Sequence, residues 1–96
     1  SYLFLDHIIS NSDDSEIINI AKYRKAKILM EEMKYEQAHT LLGNDPDNYQ
    51  HIELKGDLHY LQKNNDEALR YYNKVLAYTI TPNEKKNILA KINFIK

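Results

Sequence analysis

Apolar residues recur three and four positions apart along most of this chain, and polar breaks cut the pattern into short helical runs. Residues 2–10, YLFLDHIIS, carry Leu3, Phe4, Ile8 and Ile9, a run too short to be a stable helix unless it packs on its neighbour in the chain. After a polar linker comes the longest run, Glu16 to Met33, with Ile17, Ile18, Ala21, Ala26, Ile28, Leu29 and Met33 mostly on one face. A turn near Met33-Lys34-Tyr35 leads into Glu36 to Leu42, which Gly43 closes and Asn44-Asp45-Pro46 forbids from continuing. Tyr49 to Leu76 holds two runs split by Lys63-Asn64-Asn65-Asp66. The last run, Pro82 to about Ile95, sets Ile88, Leu89, Ile92 and Ile95 on one face and Lys85, Lys86 and Lys91 away from it. Helix starts are expected at Asp13 with Glu16, at Asp47 with Gln50, and at Thr81 with Pro82 and Glu84, each a capping residue with a partner three positions on.

The small residues organise these runs. Gly56 lies inside one run, where glycine costs roughly 1 kcal/mol against alanine, so its use there points to close packing. Ala68 comes twelve residues later, which predicts an antiparallel helix hairpin with Ile52, Leu58, Leu69, Tyr72 and Val75 filling the space around the contact. Ala26 and Ala38 show the same twelve-residue spacing thirty residues earlier, an internal repeat. Gly56, Ala68 and Tyr72 resemble the small–small–aromatic pattern of a tetratricopeptide (TPR) repeat, with Asp66-Glu67-Ala68-Leu69 typical of its second helix. Ile52, Lys55 and His59 stand where that pattern has Trp, Leu and Tyr. The expected fold is all-α: TPR-like antiparallel helix hairpins stacked as a short solenoid with a C-terminal capping helix. Residues 1–96 form one domain, divided into a half repeat (1–10), a shortened repeat (14–42), a TPR repeat (48–78) and a capping helix (82–95). The structural residues are Ala26, Ala38, Gly56, Ala68, Tyr72 and Pro82.

Composition narrows the function. The net charge of −1 gives no electrostatic argument for nucleic acid. Nine acids face five bases in residues 1–48 and five acids face eight bases in residues 49–96, an asymmetry compatible with partner docking or with ordinary solvated surface. Absence of cysteine removes disulfides and thiolate metal sites. No apolar run approaches the ~20 residues that span a bilayer, and the start at Ser1 rather than Met reads as a piece of a longer protein.

The order of motifs is similar to the C-terminal domain of the bacterial ancillary subunit of the Sec translocon, a TPR-like family anchored in the inner membrane. Leu54-Lys55-Gly56-Asp57, Lys63 to Ala68, Thr81-Pro82 and Lys91-Ile92-Asn93 carry that likeness, from about Ser12 to Lys96. The resemblance implies a missing N-terminal transmembrane helix and a domain on the periplasmic face of the bacterial inner membrane. Its partners would be translocon subunits and a periplasmic chaperone or prolyl-isomerase-like protein. Tyr71-Tyr72 departs from the Ala-Trp frequent in that family. A cytoplasmic TPR adaptor and an accessory domain of a larger enzyme remain open as alternatives.

No catalytic constellation, cofactor loop or metal set is legible: His51 and His59 are two turns apart, and Asp13-Asp14 and Glu31-Glu32 diverge around their helices. The protein reads as non-enzymatic. Binding is the better prospect. By the TPR match, Gln50, Glu53, Asp57 and Tyr60 would line the partner groove of the second repeat, and Tyr23, Lys27 and Met30 that of the first. The TPR class that grips C-terminal carboxylates has Lys and Asn where Glu53 and Asp57 stand, and two acids there would repel a carboxylate. A mixed aromatic and acidic groove suits an amphipathic helix or a basic segment. Leu3, Phe4 and Ile8 leave room for a homodimer.

Overall fold

The structure, a computed structural model, describes residues 2–96; residue 1 of the half repeat lies outside the described residues. Six helices run in order: α1 (Leu3–Asn11), α2 (Ser15–Glu31), α3 (Tyr35–Leu42), α4 (Tyr49–Leu61), α5 (Asn65–Val75) and α6 (Pro82–Ile95). The chain is all-α, with no strand among the described residues. It divides into two compact units, one ending at Asn44 and the other spanning Asp45–Lys96.

In the first unit α2 and α3 form a hairpin, with α1 against α2. Ala21, Ala26 and Leu29 of α2 and Ala38 and Leu42 of α3 are buried. Helix α1 buries no residue; Leu3 and Phe4, expected on its packed side, are 79% and 74% exposed. Polar contacts hold the start of the chain instead. Asp6 Oδ1 pairs with Lys25 Nζ at 2.6 Å, and Lys34 Nζ donates to the Tyr2 hydroxyl at 2.9 Å.

Two expectations for α2 change. Ile17 is exposed, and Met33 lies beyond the helix end rather than on its apolar face. Met33 takes φ of 61°, and the Lys34 N–H reaches back to the Leu29 carbonyl at 2.8 Å. That is a Schellman ending, in which glycine is the usual residue at positive φ. The second hairpin ends its first helix identically thirty residues later: Lys63 has φ of 62°, and the Asn64 N–H donates to His59 O at 2.9 Å.

Helix starts are shifted by one residue in two of three places. Asp14, not Asp13, accepts the Glu16 and Ile17 N–H groups, and Asn48, not Asp47, accepts those of Gln50 and His51. Asp14 and Asn48 have the extended backbone of an N-cap. Both members of each Asp-Asp and Asp-Asn pair are competent caps, so helix register decides between them. At α6 the Thr81 Oγ1 accepts from Glu84 N at 3.1 Å with Pro82 opening the helix.

The second unit has the larger core. Ile52, Ala68, Tyr71, Tyr72, Val75, Ile88 and Ile92 are buried together, drawn from α4, α5 and α6. Gly56 is the point of closest approach: a Cβ built there would sit 2.5 Å from Cε1 of Tyr72. Any side chain at 56 requires the Tyr72 ring to move. Lys55, where the repeat pattern has Leu, is 2% exposed, its stem buried and its Nζ 5.9 Å from the centroid of Tyr71. His59 stacks on Tyr71 as well, with centroids 5.4 Å apart. Helix α6 packs through Ile88 and Ile92, while Leu89, expected beside them, is 39% exposed.

Candidate partner-binding site

Gln50, Glu53, Asp57 and Tyr60 are spaced three, four and three residues apart, which places them along one stripe of α4. Gln50 is exposed, Glu53 and Asp57 are partly covered, and Tyr60 is 38% exposed. What covers the two acids is Lys91 of α6. Its Nζ lies 2.7 Å from Glu53 Oε2 and 2.9 and 3.2 Å from the two oxygens of Asp57. This corrects the expected position of Lys91, away from the packed face. Asp57 also accepts the Tyr72 hydroxyl at 2.5 Å, so a group from α5 reaches the same carboxylate from below.

The electrostatics are set by this arrangement. Burial alone would lower the Lys91 ammonium, but hydrogen bonds and charge from Glu53 and Asp57 outweigh it and hold its pKa above the usual lysine range. Burial pushes the Tyr72 phenol well up, and its bond to the Asp57 carboxylate adds to the shift. Two carboxylates, one ammonium and a protonated phenol therefore share one partly desolvated cluster of net charge −1.

Beside the cluster opens a cleft of about 310 Å³ lined by Asp57, Tyr60, Tyr72, Ala90, Lys91, Phe94 and Ile95. Tyr60 and Phe94 form its walls, edge to face with centroids 6.3 Å apart. Phe94 is 77% exposed. Sequence reasoning missed Lys91, Phe94 and Ala90, although a signal was present. Ala90, Lys91 and Phe94 stand 34 residues after Gly56, Asp57 and Tyr60, the period of a TPR repeat, and the buried Ile88 and Ile92 come after Leu54 and Leu58 by the same interval. Helix α6 thus has the layout of the first helix of a further repeat, and its groove stripe lies next to that of α4.

In the first unit Tyr23, Lys27 and Met30 share a stripe of α2; Tyr23 and Met30 are half-buried, and the exposed Lys27 has its Nζ 5.6 Å from the Tyr23 centroid. A separate cleft of about 340 Å³, lined by Lys25, Leu29, Glu36, Gln37, Thr40 and Leu41, includes none of the three. Of the structural residues, Ala26, Ala38 and Ala68 are fully buried, Gly56 and Tyr72 are in contact, and Pro82 is exposed in the first turn of α6. No helix among the described residues is long and apolar enough to cross a membrane, and no three His, Asp or Glu side chains among them come together as a metal-ligand set.

A family model described as a tetratricopeptide repeat-like domain matches residues 3–96. None of the curated proteins or solved structures compared with the chain matches it.

Proposed function

The chain belongs to the tetratricopeptide repeat-like domain family, and on that premise we propose that it is a non-enzymatic protein–protein interaction module whose second unit seats an amphipathic helix of a partner. The observation that carries this is the exposed aromatic cleft on the groove stripe of α4 and α6: Tyr60 and Phe94 offer apolar surface of a size that takes one large side chain, above a hydrogen-bonded base. Groove-lining side chains would include Gln50, Glu53, Asp57 and Tyr60 in the second unit and Tyr23, Lys27 and Met30 in the first. A carboxylate clamp is disfavoured, because two acids and one ammonium leave the α4 stripe net negative.

Within that class the proposal is the periplasmic part of a membrane-anchored ancillary subunit of the bacterial Sec translocon. Its partners are then translocon subunits and a periplasmic chaperone or prolyl-isomerase-like protein. Support comes from the ordered motifs Leu54-Lys55-Gly56-Asp57, Lys63 to Ala68, Thr81-Pro82 and Lys91-Ile92-Asn93, all within the residues that the family model matches. Fractionation of the full-length protein from its source cells, with protease added to spheroplasts, tests the placement. Membrane association with cleavage from outside is expected. A soluble, protected protein would contradict it and favour a cytoplasmic adaptor built on the same groove.

A further inference from the structure

An acidic pair beside an aromatic cleft, with Asp57 in the lining, would ordinarily recruit basic segments, because a lysine or arginine of the partner gains both charge and hydrogen bonds there. Here the pair is already occupied. Lys91 Nζ makes three contacts of 2.7–3.2 Å with Glu53 and Asp57, and the Tyr72 hydroxyl takes a further lone pair of Asp57. The ammonium belongs to α6, whose Ile88 and Ile92 are buried in the core, so packing fixes where its stem begins and the two carboxylates hold its end.

We infer that Lys91 is a specificity-determining residue, a counter-cation supplied in cis that fills the Glu53–Asp57 pair so that the cleft selects partners by an apolar anchor and not by basic charge. The inference rests on the reading of the cleft as a partner site. The occupant it implies is a Leu-, Met- or Phe-bearing face of a helix, set against Tyr60 and Phe94. A partner lysine entering the cleft would have to displace a cation already partly desolvated and paired, and would gain little.

Two synthetic amphipathic helical peptides with the same leucine face, one with lysine and one with glutamine on the polar face, serve as probes. Binding is measured on the intact chain by fluorescence anisotropy at low and high salt, with the Tyr60 and Phe94 ring resonances reporting the site. The wild-type chain should bind the two peptides within about threefold of each other. Lys91→Met should bind the lysine peptide roughly tenfold tighter than wild type, as expected for an uncovered charge pair, and high salt should erase the gain. Lys91→Arg should behave as wild type, and Lys91→Gln replaces Lys91→Met if circular dichroism shows the latter unfolded.

A wild-type chain that already prefers the lysine peptide tenfold, or a neutral variant that gains nothing, overturns the role of Lys91. The glutamine peptide separates that role from the cleft itself. If it moves the Tyr60 and Phe94 rings while Lys91→Met gains nothing, only the role of Lys91 falls. If neither peptide moves them in any variant, the cleft reading falls with it.

Discussion

The two hairpins turn in the same way and differ in what they place at the helix contact. Met33 and Lys63 adopt the same left-handed ending thirty residues apart. At the contact, the first unit sets Ala26 against α3, which carries Ala38 and, at the position thirty before Tyr72, Leu42. The second sets Gly56 against Tyr72. Removing one methyl from the first helix makes room for an aromatic ring on the second, and that ring carries its hydroxyl through to the groove stripe, where it holds Asp57. Leu42 has no polar end, so nothing equivalent reaches Lys27. Core packing and site chemistry are joined in the second unit and separate in the first.

Substitution at the contact breaks the comparison most strongly. Gly56→Leu should cost about 3 kcal/mol or more, because the buried Tyr72 ring must be pushed out of its place against α4 to admit the side chain. Ala26→Gly in the first unit should cost less, about 2 kcal/mol, through helix propensity and the loss of one buried methyl. Chemical denaturation reads both; similar losses would mean the two contacts are equivalent after all. Tyr72→Phe should cost about 2 kcal/mol by leaving Asp57 short of a charged hydrogen bond, and should shift the Lys91 side-chain resonances while leaving those of Lys27 unmoved.

The same residues set the pH dependence. The folded pKa values of Lys91 and Tyr72 are both raised, so the protonated ammonium and protonated phenol are the forms that folding favours. Their contribution is complete below the unfolded values near 10 and is lost as pH rises through the folded ones. Alkaline titration followed by circular dichroism should therefore destabilise the chain above about pH 10, less steeply in Tyr72→Phe than in wild type.

Smaller effects sharpen what the units share. Asp14→Ala should cost about 1 kcal/mol and Asp13→Ala almost nothing, since only Asp14 caps α2. Met33→Gly and Lys63→Gly should each stabilise by up to about 1 kcal/mol, by relieving a left-handed conformation on a residue with a Cβ. Unequal gains at the two sites would show that the turns differ in a way their backbones do not.

Much of this architecture was legible in the sequence. The twelve-residue spacing of Ala26–Ala38 and Gly56–Ala68, the Gly43–Pro46 break and Thr81-Pro82 each act locally, and local steric and capping rules sufficed to read them. The turns at Met33 and Lys63 were legible as breaks in the pattern, but their left-handed backbone without glycine was not, because packing on both sides imposes a conformation that neither residue prefers. Lys55 carries a charge on a buried stem, which no hydrophobicity pattern reports. Lys91 was misplaced because its face of α6 is defined by the acids of α4, 34 and 38 residues earlier, and helical periodicity within α6 alone cannot see them.

The most direct test of the interaction-module reading is site-specific photocrosslinking of the full-length protein in its own cells. A photoreactive residue replaces Tyr60 or Phe94 in the cleft, or Lys85 on the exposed side of α6. Positions 60 and 94 should give a discrete protein adduct, containing a helical segment with an apolar anchor, and position 85 should give none. Equal labelling at all three positions, or none in the cleft, would contradict the interaction-module reading.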